Sequence, residues 1–347
     1  MYLSAQAEER GIEAGEEWGA AETPLTFQRP VPRRLVHRAS MAEVFVTGAV
    51  PTGEGRFLVG AQWPRDHALY HPDQYRLSDP LLFAETIRQA LVYLAHRYFA
   101  VPLSYRFIGG DLDFDIARPE LLRVGGAPVS VVLDAAGTWT RQHLSQRYDM
   151  RLDVVLTVDG ERCGRGSLSV LAVDERRYGL LRRGRTSPVP PGAFGRADAS
   201  RPAPGGIDPA VVGRLRTKDV VLEPGVGDGA WRMNFDLDHA ILFDHPTDHL
   251  PLMALLEGFR QIGHLEMRGG SLTSSPDGCH HALLGASVEC LSFGELDEAT
   301  DLFVRERVRG PVPGSRRLVV EAVQAGRPIA GAVMTWGLSE GADTART

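Results

Sequence analysis

Lysine is almost missing from this chain: Lys218 is the only one, and arginine carries the rest of the positive charge. Codon bias in a GC-rich genome explains such a skew without any functional demand. Cysteine is nearly as scarce. Cys163, Cys279 and Cys290 are too few and too scattered for a disulfide framework or a CxxC zinc site, which suggests a reducing cytoplasm. No apolar run approaches the ~18 residues of a membrane span. Met1 to Glu22 is acidic and lacks the apolar stretch of a signal peptide. The formal net charge of -6 argues against the concentrated basic face that broad nucleic-acid binding needs. A cytoplasmic protein with no nucleic-acid or membrane partner is expected. Also absent are a GxSxG elbow, a GxxxxGK phosphate loop and a GxGxxG turn after a strand.

What is present is a repeat. The 347 residues fit two domains of ordinary size. Residues 1–29, rich in Glu, Ala and Gly, read as a mobile segment, and 183–206, rich in Pro and Gly, as a linker. They bound domains at 30–182 and 207–338, with a tail at 339–347. The first half carries DHALYHP from Asp66 and PLLFAETIRQ from Pro80; the second carries DHAILFDHP from Asp238 and PLMALLEGFRQ from Pro251. Asp66 precedes Glu85 by 19 positions, and Asp238 precedes Glu257 by the same 19. Two matched motifs at one spacing point to duplication of a single module.

Hydrophobic periodicity predicts a buried helix at Pro80–Phe99 and another at Pro251–Met267. Strands are expected at Glu43–Val46, Phe57–Gln62, Val129–Leu133, Arg151–Val158 and Gly166–Val173 in the first half. The second half should hold strands at Asp219–Leu222, Trp231–Leu237, Ala282–Phe293, Leu302–Val308, Arg316–Ala325 and Pro328–Leu338. The fold class is therefore α+β: a tandem double hotdog, each half a long helix wrapped by a bent antiparallel sheet, with the sheets joined edge to edge.

Both helices carry polar groups where a core stripe belongs. Glu257, Arg260, Gln261 and His264 share one face of the second helix, and Glu85, Arg88 and Gln89 repeat the pattern in the first. Buried unpaired, such groups cost several kcal/mol, so they pair with one another or face a polar cavity. A structural ion pair is the plain reading for one helix; its appearance twice, just inside Pro-marked helix starts, favours function. Amides at such a start can hold an oxyanion. The loop FDHPTDHLP adds Asp244, His245, Asp248 and His249. Pro246 interrupts any helix that would present His245 and His249 together, and no HExxH pattern accompanies them, so no metal is expected. His71 stands 14 positions before Glu85, the spacing of a hotdog dehydratase histidine, but its counterpart is Phe243 and the sign is weak. His280 and His281 read as solvated turn residues. The cysteines lack the surroundings of an activated nucleophile, which favours acid–base and oxyanion catalysis over a covalent route.

The segments LVHRASMAEVFVTG, GAQWPRDHALY, DPLLFAETIRQ and LFDHPTDHLPLMALLEGFRQ resemble the A-factor biosynthesis hotdog family, the γ-butyrolactone autoregulator synthases of actinomycetes, over roughly Pro30 to Leu338. The resemblance implies an acyltransferase that moves a β-ketoacyl group from acyl carrier protein to the hydroxyl of dihydroxyacetone phosphate. It implies no cofactor and leaves a homodimer open. Carried over, Glu85 and Glu257 would be catalytic, taking the hydroxyl proton, while Arg260, with Arg88 added by the internal repeat, would grip the phosphate. Gln261, Gln89, Asp248 and His249 complete the expected substrate-binding set. His71 departs from the family pattern. Which half is catalytic stays open, with the richer loop before Glu257 favouring the second. A hotdog thioesterase or dehydratase, and a non-catalytic signal-binding regulatory protein, remain alternatives.

Overall fold

The computed structural model describes residues 25–142, 147–182, 206–225, 229–269, 281–311 and 313–338. Most of the expected N-terminal segment, all of the linker except Gly206, the C-terminal tail, Cys279 and His280 lie outside them.

Twelve strands form one sheet in the order β1-β2-β4-β5-β6-β3-β9-β12-β11-β10-β8-β7. In the first half these are β1 (Val46–Gly53), β2 (Arg56–Trp63), β3 (Arg106–Ile116), β4 (Val129–Gln142), β5 (Arg147–Val158) and β6 (Glu161–Val173). The second half supplies β7 (Leu222–Pro224), β8 (Ala230–Met233), β9 (His281–Cys290), β10 (Thr300–Arg309), β11 (Arg316–Gln324) and β12 (Arg327–Leu338). Adding six to each label of the first half reproduces the order of the second, read from the opposite edge. All named strand pairs are antiparallel. β3 and β9 join the halves, with Leu112 opposite Val288 and Phe114 opposite Ala286. At this seam Gly285 is needed for close approach, since a Cβ there would sit 2.8 Å from the Phe114 carbonyl oxygen.

Alternation sorts the strand residues. In β5, Tyr148, Met150, Leu152, Val154, Leu156 and Val158 are buried, while Arg151 and Asp153 are exposed. Helices α1 (Leu81–Tyr98) and α3 (Leu252–Met267) pack on their own halves of the sheet, α1 on β1, β2, β3, β5 and β6, α3 on β7, β9 and β12. Both are buried around most of their circumference. Each fully buried Leu or Phe contributes about 1.5–3 kcal/mol, enough to offset polar groups on the same helix if those are paired.

Three expectations need correction. Asp219 belongs to a 3₁₀ turn, Thr217–Asp219, and Glu43 to another, Met41–Glu43; the strands begin only at Leu222 and Val46. In both cases a buried carboxylate turns toward a histidine of the DHA motif, which extended pairing would not allow. His281 opens β9 and is half-buried, so it is no solvated turn residue. Unexpected are the central strand β3 and the short helix α2 (Glu175–Arg182).

Candidate active site

The conformation before each helix delivers an arginine that the sequence reading missed. A 3₁₀ turn, Pro209–Val212, ends at Gly213 in the left-handed region (φ 67°), and Arg214 follows. No other residue suits Gly213 well: besides its φ, a Cβ would fall 2.6 Å from Nε2 of His264. Arg214 donates from Nε to Glu257 Oε1 at 2.7 Å and from Nη2 to Oε2, and it donates from Nη1 to Asp79 at 2.7 Å and to the Leu69 carbonyl at 2.7 Å. Gln261 donates to Glu257 Oε1 at 2.5 Å and to the Asp219 carbonyl at 2.7 Å, and it accepts from Val221 N.

The first half repeats this cluster. Arg33–Val36 form the 3₁₀ turn, His37 takes the left-handed conformation (φ 51°), and Arg38 meets Glu85 at 2.7 Å. Gln89 donates to Glu85 at 2.6 Å and to the Glu43 carbonyl. Arg88 adds a fork, Nε to Glu85 Oε2 at 2.9 Å and Nη2 to Oε1 at 2.8 Å. Burial alone would raise the Glu85 pKa, but Arg38 and Arg88 bring it down to about 2.

Arg260 stands where Arg88 does but makes no ion pair with Glu257. Its guanidinium lies 3.4 Å from Asp79 and donates at 3.3–3.4 Å to the carbonyls of Val212 and Gly213. Its buried Nε has no partner. Burial and the neighbouring Arg214 lower its pKa from the usual arginine value. Burial opposes ionisation of Asp79 too, yet Arg260 and Arg214 hold its pKa at about 2.

Two cavities flank these clusters, and the halves exchange loops to form them. A cavity of about 560 Å³ is lined by Arg214, Arg260, His264 and Arg268 of the second half and by His71 to Tyr75 and Leu77 to Pro80 of the first. Apolar walls come from Ile116, Leu122, Met267, Leu283 and Leu284. Three buried side-chain atoms without a hydrogen-bond partner belong to residues lining this cavity: Arg260 Nε, His71 Nε2 and Ser78 Oγ. The second cavity, about 750 Å³, is lined by Arg38, Arg88 and Arg106 and by the second half's Asp244 to His249. Among the described residues, none that lines it has a buried side-chain polar atom without a partner.

The expected site residues therefore separate. Asp248 and His249 line one cavity with Arg88, and Arg260 lines the other. Asp248 is held by Tyr178, by His249 at 2.8 Å and by Arg182 at 3.3 Å. Burial works against its charge, but the hydrogen bonds from His249 and Tyr178 keep its pKa well below the carboxylate range. Glu85, Glu257, Gln89 and Gln261 line neither cavity. The expected role of the glutamates as bases meets carboxylates already occupied by arginine and glutamine donors. The expected oxyanion amide at the α1 start is also taken, since Leu81 N donates to Asp79 Oδ1 at 2.9 Å.

The DHA motif is accounted for by the same geometry. His67 Nδ1 accepts from the amides of Leu69 and Tyr70, and His239 Nδ1 from those of Ile241 and Leu242. Each Nε2 then faces a buried carboxylate, Glu43 at 3.3 Å and Asp219 at 3.0 Å. These histidines shape the loop that crosses to the opposite cavity. No cluster of three metal-ligating side chains occurs among the described residues. No helix among them is long and apolar enough to cross a membrane.

The description "A-factor biosynthesis hotdog domain" matches residues 19–174 and again 196–339. The chain is 40% identical over 231 residues to a Streptomyces virginiae protein named 2-oxo-3-(phosphooxy)propyl 3-oxoalkanoate synthase, covering 67% of this chain and 75% of the relative. A Streptomyces coelicolor protein of the same name is 32% identical over 236 residues, covering 68% and 72%. Among solved structures, a 12:0-ACP thioesterase from Umbellularia californica aligns with TM-score 0.45 and 12% identity over 84% of this chain and 100% of its own. On its two matched segments, the chain belongs to the A-factor biosynthesis hotdog family.

Proposed function

We propose that this protein transfers a β-ketoacyl group from an acyl carrier protein thioester to the primary hydroxyl of dihydroxyacetone phosphate, in the cavity beside α3. The names of the relatives carry both halves of that product, a phosphooxypropyl group and a 3-oxoalkanoate. The observation that carries the assignment to this cavity is the set of unpartnered buried atoms on Arg260, His71 and Ser78. Buried polar groups are almost always hydrogen-bonded, so three orphans on residues that line one cavity support a polar ligand there. Arg260 suits a phosphate because a planar, permanently charged fork can grip two of its oxygens. Arg268, on the same wall, adds charge. The apolar walls accept the acyl chain.

Glu257 is then an anchor. It holds Arg214, which with Asp79 sets the position of Arg260; Glu85 plays the anchoring part for Arg38 and Arg88. Ser78 Oγ–H is the donor available to the tetrahedral oxyanion, in place of the Leu81 amide that Asp79 occupies. Asp248 and His249 line the other cavity with Arg88, where no step of the transfer is placed. We read residues 30–182 and 207–338 as tandem hotdog domains, 183–206 as their linker, and 1–29 and 339–347 as tails, in a cytoplasmic enzyme.

A thioesterase or dehydratase on this fold needs no arginine poised for phosphate, and a signal-binding regulator would not turn over. Incubating the pure protein with a β-ketoacyl thioester and dihydroxyacetone phosphate, followed by mass spectrometry, separates these. A phosphorylated β-keto ester, or the butenolide from its cyclisation, is expected. Free β-keto acid as the sole product would indicate a hydrolase, an enoyl product a dehydratase, and no turnover a binder.

A further inference from the structure

His71 reaches the α3 cavity from the other half of the chain. Its Nδ1 lies 3.0 Å from the carbonyl oxygen of Pro72, an atom that can only accept, so Nδ1 carries the proton. Nε2 is left with its lone pair free. That atom is buried and has no partner, and the residue shares the cavity lining with Arg260 and Ser78. A neutral imidazole with a fixed tautomer and an unpartnered nitrogen is the chemistry of a general base. From these contacts we infer that His71 Nε2 is the base of the transfer reaction, an assignment that rests on the acyl-acceptor reading above.

The step balances on one nitrogen. The acceptor hydroxyl gives its proton to Nε2 as its oxygen bonds to the thioester carbonyl carbon. The tetrahedral oxyanion takes the Ser78 hydroxyl proton as a hydrogen bond. On collapse the carbon–sulfur bond breaks, and the departing thiolate takes the proton from Nε2. Ester and free thiol result, and the imidazole is neutral again. The groups facing His71 keep it neutral: burial is the main cause of a pKa below 6.5, opposed by the bond to Pro72 and reinforced by Arg214 and Arg260, with Asp79 acting the other way. The glutamates cannot take this part while their oxygens bind Arg38, Arg88 and Arg214.

The equivalent position in the second half is Phe243, so phenylalanine is compatible with this loop. His71→Phe and His71→Gln, in the full chain, provide the test through steady-state formation of the phosphorylated ester. Loss of a general base predicts a fall in kcat of about 100-fold to 10,000-fold in both variants. The KM for dihydroxyacetone phosphate should stay within about threefold, and the acid limb of the wild-type kcat profile should vanish. A kcat within threefold of wild type in either variant, or an unchanged acid limb, overturns the assignment while leaving the acyl-acceptor reading intact. Absence of ester from the wild-type protein overturns both.

Discussion

Arg88 and Arg260 occupy the same turn of equivalent helices, and their surroundings differ by the placement of one carboxylate. Arg88 closes a fork on Glu85 within its own helix and donates from Nη2 to the Val36 carbonyl. Arg260 leaves Glu257 to Arg214 and leans on Asp79 from the opposite half, at 3.4 Å and with Nε unused. In the first cluster two arginines pair with one glutamate; in the second one does, and the other reaches a carboxylate only across the halves. Duplication produced two copies of a buried ion-pair network. One copy pairs both cations with its glutamate; in the other, the arginine left without that pair is the one proposed to meet the phosphate.

The largest effect expected from breaking this pattern is on stability. Arg214 is fully buried, so Glu257→Ala strips a buried cation of its main partner and should cost about 3–5 kcal/mol in denaturant unfolding. A cost under about 1 kcal/mol would mean that Asp79 alone can hold Arg214. Ser78→Ala comes next: removal of an oxyanion donor predicts a kcat lower by about 100-fold to 1,000-fold with unchanged unfolding. Arg260→Ala should raise the KM for dihydroxyacetone phosphate by about 10-fold to 100-fold, the worth of charge-assisted hydrogen bonds, while Arg88→Ala leaves it within about twofold. Equal effects of the two arginine variants would erase the distinction between the halves. The smallest effect is for His249→Ala, with transfer kinetics within about twofold, because its loop lines the other cavity.

Acid titration sharpens the comparison in a different way. Glu85 and Asp79 have folded-state pKa values near 2, below their ordinary values. Each therefore contributes stability that is present above the ordinary carboxylate range and is lost as pH falls through the folded value. Unfolding free energy should decline from about pH 5 downward toward pH 2. Removing Glu85, as Glu85→Gln, should make that decline shallower.

Much of the fold was legible because its main signal is periodic. The helices expected at Pro80–Phe99 and Pro251–Met267 occur at Leu81–Tyr98 and Leu252–Met267, and β11 and β12 fall within a few residues of expectation. β3 was not legible. Its sequence RFIGGDLDFDI holds two glycines and three aspartates, poor strand formers that are tolerated where β6 and β9 supply partners on both sides. The polar helix faces could be read, but their partners could not. Arg38 and Arg214 follow Val36-His37 and Val212-Gly213, and this shorter repeat is offset by 176 positions, four away from the helix motif. A gap of that size hides a two-residue match. The crossing of loops between halves has no sequence signal at all, since it depends on how β3 and β9 set the two modules side by side. That crossing moved Asp248 and His249 to Arg88 and brought His71 to Arg260.

The proposed division between the halves stands on phosphate binding at Arg260 in the α3 cavity. A crystal structure of the full chain soaked with dihydroxyacetone phosphate tests it most directly. The account predicts phosphate oxygens within hydrogen-bonding distance of the Arg260 guanidinium, about 2.7–3.2 Å, and the primary hydroxyl directed toward His71. Phosphate density beside Arg88, with the α3 cavity unchanged, would contradict it.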